Sequence, residues 1–316
     1  MRALVLVGGE GTRLRPLTLT TPKQMLPVAG VPMIERVVGH LARHGIDRVV
    51  LSMGYRPDAF LDAYPDGRCG GVEVEYAVES EPLDTAGAIR FAARRAGFDD
   101  VFVVLNGDVI TEIDISAVVK FHASHGASAT LALTPVDDPS RFGVVPTDED
   151  GRVVAFIEKP GPGEAPTNLI NAGVYVLEPS VIDRIPDGRR VSIERETFPQ
   201  LVADRSLFAL ASDATWIDVG TPAAYIEANL TFAGVGPDAA VVGHGVRVDP
   251  GACITGSVVL DEAVIAADAV VRDSIIGRRA VIGEGAIVEA LSVIGDGAIV
   301  PPGAHLTGAR LPEEAA

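Results

Sequence analysis

Residues 1–27 read MRALVLVGGEGTRLRPLTLTTPKQMLP, and this stretch sets the expectation for the fold. It opens with the apolar run Ala3–Val7, which is typical of a β-strand buried on both faces. Three glycines follow, Gly8, Gly9 and Gly11, and glycine lets backbone N–H groups close around phosphate oxygens. The loop is no Walker A motif, and Leu14 stands where a dinucleotide fingerprint needs glycine. The stretch predicts a buried strand and then a phosphate-binding loop.

Basic residues on this loop favour phosphate over a simple tight turn, which the glycines alone would fit equally well. Residues 1–25 carry Arg2, Arg13, Arg15 and Lys23 against the single acidic residue Glu10. The whole chain has a net charge of −17, so this segment is a local basic region in an acidic protein. Such a region predicts a focused anion site.

Lysine is rare in this chain, since only Lys23, Lys120 and Lys159 are lysines among 26 basic residues. Lysine is a compact charge that fits beside one phosphate oxygen, whereas arginine presents a broad planar fork. Lys23 ends the N-terminal loop, and Lys159 follows Glu158 in the motif FIEKP. Both lysines are candidates for phosphate contact, although a solvated ion pair also explains FIEKP. Lys120 reads as a helix surface residue.

Outward from the opening stretch, the first two thirds of the chain alternate between strand and helix patterns. Residues 32–45 predict a helix that starts at Pro32 and stops at Gly45, and another helix is expected near 84–96. The runs DRVVLSM and DVFVVLNGDV read as buried strands. This alternation predicts an α/β, Rossmann-like domain with a mostly parallel mixed sheet. Ligands bind such sheets beyond the carboxyl ends of the strands, where GGEGTR and NGDV fall.

Beyond residue 241 the pattern changes, because apolar residues recur about every sixth position. This hexapeptide period is the signature of a parallel β-helix, at about 18 residues per three-sided coil. Two steps contract to five residues, from 260 to 265 and from 271 to 276. The sequence therefore predicts domains at residues 1–232 and 241–311, the second with about four coils. The inward anchors are expected to be Val242, Val248, Ile254, Leu260, Ile265, Val271, Ile276, Ile282, Val288, Ile294, Val300 and Leu306.

Composition excludes several classes of protein. The chain has 316 residues, 47% hydrophobic and 22% charged, which fits a globular protein of two domains. The strong negative charge argues against nucleic-acid binding, which needs a broad basic face. The two cysteines, Cys69 and Cys253, form no disulfide framework and favour a cytoplasmic location. We expect no signal peptide and no membrane span, since neither the charged and apolar leader pattern nor a long apolar run occurs.

Two aspartates are candidates for a metal site. Asp108 follows a predicted strand in NGDV, and Asp218 lies similarly in WIDVG. Mg²⁺ is commonly held by one or two carboxylates together with substrate phosphates, so two aspartates could share one ion. Each aspartate alone is more often a turn residue or helix cap, so the pair matters only if the fold brings the two together. The paired histidines of the helices, by contrast, lack a metal-binding motif.

Together these motifs resemble the sugar-1-phosphate nucleotidylyltransferases. The segments GGEGTRLRPLTLTTPKQMLPVAGVPMIE, EPLDTAG, VLNGDV, FGVV, FIEKP, INAGVYVLEP, SIERETFP and WIDVGTP occur in the order found in that family. TLTTPK, INAGVYVLEP and SIERETFP are most similar to the GDP-mannose pyrophosphorylases, the mannose-1-phosphate guanylyltransferases. Members of the family also commonly carry a C-terminal left-handed β-helix of hexapeptide repeats.

The resemblance implies a site for each substrate. Arg13, Lys23, Asp108 and Asp218 would be catalytic, and the two aspartates would hold Mg²⁺. The nucleoside triphosphate would lie against Leu6, Gly8, Gly9, Gly11, Thr12, Arg13, Glu79, Asp84, Gly107 and Asp108. The sugar 1-phosphate would lie against Gly143, Glu158, Lys159, Asn171, Gly173 and Glu194, with Glu196 as a weaker candidate.

The implied reaction joins two anions. A sugar-phosphate oxygen attacks the α-phosphorus of the nucleotide in line, and pyrophosphate leaves. Positive charge and positioning therefore carry the catalysis. Arg13 would stabilise the departing pyrophosphate, while Lys23 and Lys159 would draw the anions together. The attacking oxygen is already ionised at neutral pH, so no general base is required.

One residue departs from the family pattern, because Asp84 in EPLDTAG stands where the family usually has glycine. Aspartate adds bulk and charge beside the nucleotide base and adopts a positive φ less readily than glycine. Guanine presents two neighbouring N–H donors, from which a carboxylate such as Glu79 or Asp84 could accept. We therefore expect GTP, with dTTP, UTP or ATP as alternatives. Mannose 1-phosphate is the expected acceptor, with glucose, heptose or cyclitol phosphates as alternatives.

Two other functions fit parts of the pattern. Hexapeptide-repeat acyltransferases need a histidine base in the coils, and only His244 and His305 lie there, at the two ends. A catalytically silent regulatory relative would be free to lose its charged site residues, yet Arg13, Lys23 and Asp218 are present. The open coil ends of a β-helix invite self-association, so we expect a homodimer or homotetramer.

Overall fold

The computed structural model describes residues 1–54 and 57–312, which pack into two compact units. The first unit comprises Met1–Gly8 and Ile34–Trp216, and the second comprises Gly9–Met33 and the chain from Ile217 onward. Packing thus groups the glycine-rich loop with the C-terminal strands. The domains predicted from the sequence, 1–232 and 241–311, are divided where the hexapeptide repeat begins. That division stays a prediction.

Residues 1–54 and 57–312 contain eight α-helices. In chain order they are α1 (Leu17–Thr20), α2 (Met33–Arg43), α3 (Pro57–Ala63), α4 (Asp84–Arg95), α5 (Ile115–His125), α6 (Pro179–Arg184), α7 (Phe198–Ala203) and α8 (Pro222–Ala233). The Asp114 carboxylate accepts from Ala117 N at 3.0 Å to start α5, and the left-handed Gly126 ends it. Short turns of 3-10 helix lie at Thr12–Leu14, Lys23–Met25 and Pro139–Arg141, and a π-helical turn at Ile193–Thr197.

The strands of the first two thirds of the chain are short and mostly apolar. They are β1 (Arg2–Val7), β2 (Pro27–Val28), β3 (Val31–Pro32), β4 (Arg48–Met53), β5 (Arg68–Cys69), β6 (Val72–Val78), β7 (Phe102–Asn106), β8 (Val109–Thr111), β9 (Ala129–Pro135), β10 (Gly143–Val144), β11 (Ile157–Glu158), β12 (Leu169–Leu177), β13 (Leu207–Ala211) and β14 (Trp216–Asp218).

The first unit is built on a mixed sheet with strand order β11-β10-β12-β7-β1-β4-β6-β5, and β9 pairs with β12 and β13. Its centre is parallel, because β1 pairs in parallel with both β4 and β7. β12 runs antiparallel to β7 and β9. This arrangement confirms the predicted Rossmann-like α/β fold. Since Leu6 and Asn106 lie side by side in the register, the residues that follow β1 and β7 emerge at one edge.

The predicted apolar patterns account for the core of the first unit. Leu4 and Val104 on neighbouring strands are fully buried, together with Tyr175 and Phe198. The predicted face of α2 is buried, although the helix begins at Met33 because Pro32 ends β3 instead. Gly45, at φ +76°, follows the helix as expected.

The second unit contains the predicted β-helix. Its strands are β15 (Ala240–Val242), β16 (Arg247–Val248), β17 (Cys253–Thr255), β18 (Ser257–Val259), β19 (Val264–Ile265), β20 (Val270–Arg272), β21 (Ile275–Ile276), β22 (Val281–Ile282), β23 (Ile287–Glu289), β24 (Val293–Ile294), β25 (Ile299–Val300), β26 (His305–Thr307) and β27 (Arg310–Leu311). They form three parallel sheets, β15-β18-β21-β24-β27, β16-β19-β22-β25 and β17-β20-β23-β26. This is the architecture of the left-handed β-helix of hexapeptide repeats.

The interior of the β-helix corrects one predicted anchor. Val259 pairs with Val242 and Ile276 and lies in the interior cluster, so Val259 is the inward anchor of this coil and Leu260 is not. The first five-residue step between anchors therefore ends at residue 259, whereas the sequence predicts that it begins at Leu260. Neighbouring coils are 17 residues apart where Val242 meets Val259, and 18 apart where Ile276 meets Ile294. The sequence could not separate Val259 from Leu260, because both are apolar and a shift of one residue reverses the face.

Candidate active site

The N-terminal loop lies in the second unit, and its backbone folds back on itself. Gly11 has φ +63°, and a Cβ there would lie 2.9 Å from Thr18 Cγ2 and 3.1 Å from Lys23 Cβ. Only glycine fits both this conformation and this space. Thr18 Oγ1 donates to Gly11 O at 2.9 Å, which closes the loop. The glycine-rich turn and the Lys23 turn are therefore one packed structure.

The other predicted loop residues are open to solvent. Gly8 and Gly9 are exposed, and Gly9 has φ +90°, a conformation that favours glycine. Thr12 and Arg13 are exposed on the 3-10 turn that follows. Gly8 ends the first segment of the first unit, whereas the rest of the loop belongs to the second. The exposed backbone is accessible to a ligand, as the phosphate prediction requires.

Three residues predicted to be catalytic come together in the second unit. Lys23 Nζ lies 4.0 Å from Asp218 Oδ1. A Cβ on Gly220 would lie 2.6 Å from Arg13 Nη2 and 3.0 Å from Asp218 Oδ1, so this glycine leaves room for both side chains. Gly220 N donates to Asp218 O at 2.7 Å and closes the turn. Two cations and one carboxylate thus share a small region that suits a phosphate and a metal ion.

Burial separates Lys23 from the other two lysines. Lys23 is 6% exposed, whereas the Lys159 side chain is 60% exposed and Lys120 is exposed on α5. Burying an ammonium group costs free energy unless opposite charge compensates it. A buried Lys23 beside Asp218 therefore agrees with the interpretation of this lysine as a compact site charge. Lys159, by contrast, keeps its side chain largely in solvent.

In the first unit, the ends of β1 and β7 are in unusually close contact. Gly107 N donates to Leu6 O at 2.9 Å, and a Cβ on Gly107 would lie only 2.7 Å from that oxygen. Asp108 follows in the turn and is partly exposed. Glycine at 107 is thus needed to bring this turn against β1. The close approach presents Asp108 at the edge where the sheet was expected to bind its ligand.

The Glu79 carboxylate supports the loop that leads into α4. Its Oε2 accepts from Leu83 N at 3.0 Å, and its Oε1 lies 3.3 Å from Ser52 Oγ. Burial raises the pKa of the Glu79 carboxyl, and the hydrogen bonds from Leu83 and Ser52 oppose that rise. Both oxygens are therefore engaged in holding the loop.

Asp84 adopts a backbone conformation that favours glycine, the residue that the family motif usually has at this position. Its φ is +63°, which non-glycine residues adopt only at a cost in free energy. Asp84 Oδ1 accepts from Thr85 N at 2.8 Å, a local hydrogen bond that makes this conformation more favourable. The side chain is exposed, so its carboxylate is accessible to a ligand.

Asn171 and Gly173 lie in β12 where its pairing with β9 shifts register, and Asn171 contacts the buried Tyr175. Asn171 Nδ2 donates to Tyr175 Oη at 2.9 Å, and Asn171 Oδ1 accepts from Gly173 N at 3.1 Å. Gly173 has φ +71°, and a Cβ there would lie 2.7 Å from Asn106 Nδ2. Burial raises the pKa of the Tyr175 hydroxyl, which therefore stays protonated. The amide of Asn171 is thus fixed in orientation.

Gly143, Glu158 and Lys159 form a second predicted group. Gly143 pairs with Glu158, and a Cβ on Gly143 would lie 2.6 Å from Phe156 Cζ and 3.1 Å from Glu158 Oε2. Lys159 Nζ lies 3.8 Å from Glu158 Oε1. Lys159 has φ +51°, and such strain is common at functional sites. The structure brings these three residues together, and their contact with a sugar 1-phosphate stays a prediction.

Glu194 lies in the π-helical turn and contacts the start of α4. Its Oε2 accepts from Thr85 Oγ1 at 2.8 Å and from Ser192 Oγ at 2.7 Å. Glu196 instead forms an exposed ion pair with Arg189 at 2.6 Å. Glu194 is therefore part of the framework around Asp84, while Glu196 is committed to the surface.

Sequence reasoning missed four residues that shape these groups. Gly220 and Asn106 stand inside the quoted motifs WIDVG and VLNGDV, so their motif positions were a usable signal. Thr85 follows Asp84 directly, and its hydroxyl also accepts from Ile193 N at 2.8 Å. Tyr175 also stands inside a quoted motif, INAGVYVLEP, although an aromatic residue in an apolar strand otherwise reads as ordinary core.

No group of three or more histidine, cysteine, aspartate or glutamate side chains suited to a metal ion occurs in residues 1–54 and 57–312. A site of two carboxylates completed by substrate phosphates does not need such a group. Asp108 and Asp218 are both partly exposed, which fits that use. They belong to different units, so their sharing one ion stays a prediction. Across the same described ranges, none of the helices has the length and apolar character that crossing a bilayer requires.

Comparison with known proteins gives the family. The nucleotidyl transferase family matches residues 2–234, and the GMPPB C-terminal domain matches residues 221–313. The chain is 44% identical over 269 residues to mannose-1-phosphate guanylyltransferase of Mycobacterium tuberculosis. The match covers 82% of this chain and 74% of that protein. It is 44% identical over 230 residues to probable mannose-1-phosphate guanylyltransferase 1 of Oryza sativa subsp. japonica, covering 72% of this chain and 63% of that one.

Solved structures agree with this assignment. The crystal structure of HddC from Yersinia pseudotuberculosis complexed with GMP-PN has a TM-score of 0.62 and 29% identity, and the match covers 73% of this chain and 99% of HddC. Proteins of this family generally use a divalent metal ion. The matched region contains every predicted site residue, from Leu6 to Asp218. The chain therefore belongs to the nucleotidyl transferase family.

Proposed function

We propose that this protein is a mannose-1-phosphate guanylyltransferase, which transfers GMP from GTP to mannose 1-phosphate and releases pyrophosphate. The observation that carries the proposal is that Arg13 and a buried Lys23 of the N-terminal segment lie beside Asp218 at the end of β14, with Lys23 Nζ 4.0 Å from Asp218 Oδ1. Similarity to the proteins of that name supports the choice of substrates.

The charges of the site suit a reaction between two anions. Arg13 is exposed and can approach the pyrophosphate that leaves, while Lys23 contacts the phosphates around the reacting phosphorus. Lys159, whose ammonium group is exposed, binds the phosphate of the sugar. Preorganised positive charge lowers the repulsion between the reactants, and positioning supplies the remaining rate enhancement.

The metal of the reaction is proposed to be Mg²⁺. Asp108 and Asp218 would hold it, since carboxylate oxygens are the ligands that Mg²⁺ prefers. When bound, the ion neutralises phosphate charge and orients the phosphoryl groups. Loss of activity in EDTA and its recovery with added Mg²⁺ is the expected result. Activity that is unchanged in EDTA would contradict this assignment.

Asp84 is proposed to read the base. Its carboxylate is exposed and, within residues 1–54 and 57–312, only its Oδ1 accepts a hydrogen bond, from Thr85 N, whereas both oxygens of Glu79 are engaged with Leu83 and Ser52. An exposed carboxylate can accept from the two neighbouring N–H donors of guanine. Because hydrogen bonds to charged groups contribute about 1.5–3 kcal/mol, Asp84→Asn should raise the KM for GTP about tenfold or more. An unchanged KM for GTP in this variant would show that another group reads the base.

The decisive experiment is a substrate panel scored by pyrophosphate release. GTP, ATP, UTP, CTP and dTTP are each combined with the 1-phosphates of mannose, glucose, a heptose and a cyclitol. The expected result is the highest kcat/KM for GTP with mannose 1-phosphate. Comparable turnover with all five nucleotides would contradict the choice of GTP. The absence of pyrophosphate release from every pair would favour a silent regulatory protein.

Assembly and location complete the proposal. The β-helix leaves its first inward valines, Val242 and Val248, 46% and 45% exposed, which favours self-association into a homodimer or homotetramer. Cys253 is exposed as a free thiol and Cys69 is a buried free thiol. Free thiols suit a reducing compartment, and the cytoplasmic location inferred from the sequence stays a prediction.

A further inference from the structure

The β-helix contacts the glycine-rich loop within the second unit. Thr20, the last residue of α1, has its Oγ1 2.8 Å from Asp296 Oδ2, although the two residues are 276 positions apart in the sequence. Asp296 lies in the turn between β24 and β25. The same Oγ1 lies 3.0 Å from Leu17 O, and of these two acceptors for the single hydroxyl proton the Asp296 carboxylate is the nearer and forms the stronger hydrogen bond. A corner of the β-helix is thus bonded to the loop that carries Lys23.

A second contact lies beside the first. A Cβ on Gly295 would lie 2.9 Å from Pro16 Cγ and 3.2 Å from Pro16 Cβ, so the loop packs directly against this turn. Gly295 is therefore needed for the close approach of Pro16. The hydrogen bond and the packing contact together fix both ends of α1 against the β-helix.

Asp296 is itself held rigidly. Its second oxygen, Oδ1, accepts from Arg278 N of the preceding coil at 2.8 Å. Asp261 occupies the same corner of an earlier coil, and its Oδ1 accepts from His244 N at 2.8 Å. The bond between coils is therefore a repeated feature of this corner, and Asp296 in addition accepts a hydrogen bond from Thr20 of the N-terminal segment.

Thr20 is close enough in the chain to control Lys23. Only Thr21 and Pro22 separate them, and Pro22 restricts the backbone between them. The chain is fixed again beyond Lys23, because Asn229 Oδ1 of α8 accepts from Ala29 N at 2.9 Å. Lys23 therefore lies on a short segment that is held at both ends by the C-terminal part of the second unit.

We propose that Asp296 and Thr20 are positioning residues for nucleotidyl transfer, through which the β-helix holds Lys23 in place. This inference rests on the proposed function. The β-helix would then serve the reaction directly, in addition to any role in assembly. Because a displacement of about 1 Å can cost about 100-fold in rate, loss of the bond should lower kcat by about five- to twentyfold.

Four variants test the proposal in the full-length protein. Thr20→Val removes the hydroxyl with little change in shape, and Thr20→Ser retains it. Asp296→Ala removes both hydrogen bonds of Asp296. Asp261→Ala is the matched control, because it removes a bond between coils at the same corner and leaves the Thr20 bond intact. The measurements are kcat and KM for both substrates, and amide hydrogen exchange of residues 12–25.

The expected result is a lower kcat with KM changed less than about twofold in Thr20→Val and Asp296→Ala, and near-normal kcat in Thr20→Ser and Asp261→Ala. The rate of amide hydrogen exchange in residues 12–25 should rise about tenfold in Thr20→Val and Asp296→Ala, and not in Thr20→Ser or Asp261→Ala. Equal effects in Asp261→Ala, or no effect of Thr20→Val on exchange, would overturn the proposal. If the unaltered protein shows no turnover, the proposed function fails, while the exchange measurement still decides whether Asp296 holds the loop.

Discussion

Two of the predicted site residues have a backbone conformation that favours glycine. Asp84 has φ +63° and Lys159 has φ +51°, although neither is glycine. Each such residue costs roughly 1–2 kcal/mol and persists only where the surrounding structure holds it. Asp84 is held by its bond to Thr85 N, and Lys159 N donates to Phe142 O at 3.0 Å. The sequence indicated an unfavourable positive φ at Asp84, because the family usually has glycine there. Nothing in the sequence indicated the positive φ of Lys159.

Lys23→Arg tests the requirement for a compact charge. Lys23 is buried and its Cβ packs close to Gly11, so the larger guanidinium would displace the loop or Asp218. We expect kcat to fall by about 10- to 100-fold, as for a misplaced site group. Steady-state pyrophosphate release measures the change. Lys120→Arg, on the exposed face of α5, should retain full activity. A Lys23→Arg variant within twofold of normal would show that any cation suffices.

His122 makes the stability of the protein depend on pH. It is buried on α5, with Nδ1 2.9 Å from Thr130 Oγ1 and Nε2 3.5 Å from Glu178 Oε1. Burial lowers the pKa of the His122 imidazole, and the Glu178 carboxylate opposes this only in part. Below a pH of about 6.5 the unfolded chain therefore binds a proton that the folded protein does not bind. The free energy of unfolding should fall as pH drops through this range.

Urea unfolding at pH 7.5, 6.5 and 5.5 measures this dependence. His122→Gln should lose less stability than the unaltered protein between pH 7.5 and 5.5, since one group accounts for at most about 1.4 kcal/mol per pH unit. Burial also lowers the pKa of His40, so part of the dependence should remain. His125→Gln, at an exposed position of the same helix, is the control. Identical pH dependence in all three proteins would rule out His122 as the source.

At the scale of elements, periodicity predicted each class of structure well. The helix face of α2 and the inward anchors of the β-helix follow from spacing alone, because each period places apolar residues on one face. The exception is Val259, which the sequence could not distinguish from Leu260. Boundaries moved where a neighbouring element competed, as when Pro32 joined β3 instead of starting the helix.

The β-helix offers a test of the interior pattern. Ile282 in β22 is fully buried, whereas Ile299 in β25 of the same sheet is 67% exposed. Ile282→Ala should lower the free energy of unfolding by about 2–4 kcal/mol, through lost burial and the cavity that remains. Ile299→Ala should change it by less than about 0.5 kcal/mol. Chemical denaturation measures both values. Similar losses in the two variants would contradict the assignment of the interior face.

At the scale of the whole molecule, the exposed valines of the first coil lead to a prediction about assembly. Apolar surface of this kind is usually covered by a partner, here a second copy of the chain. Light scattering at micromolar concentration should give two or four times the chain mass of 32.9 kDa. A mass equal to that of one chain would contradict the prediction.

The sequence by itself determined the two architectures and the family, and it predicted that the N-terminal loop binds phosphate. These depend on local periods and on motifs whose residues are close together in the chain. Tertiary structure alone decided that Lys23 is buried beside Asp218 and that Thr20 bonds to Asp296 across 276 residues. No local pattern encodes such pairs, because each depends on how distant segments pack.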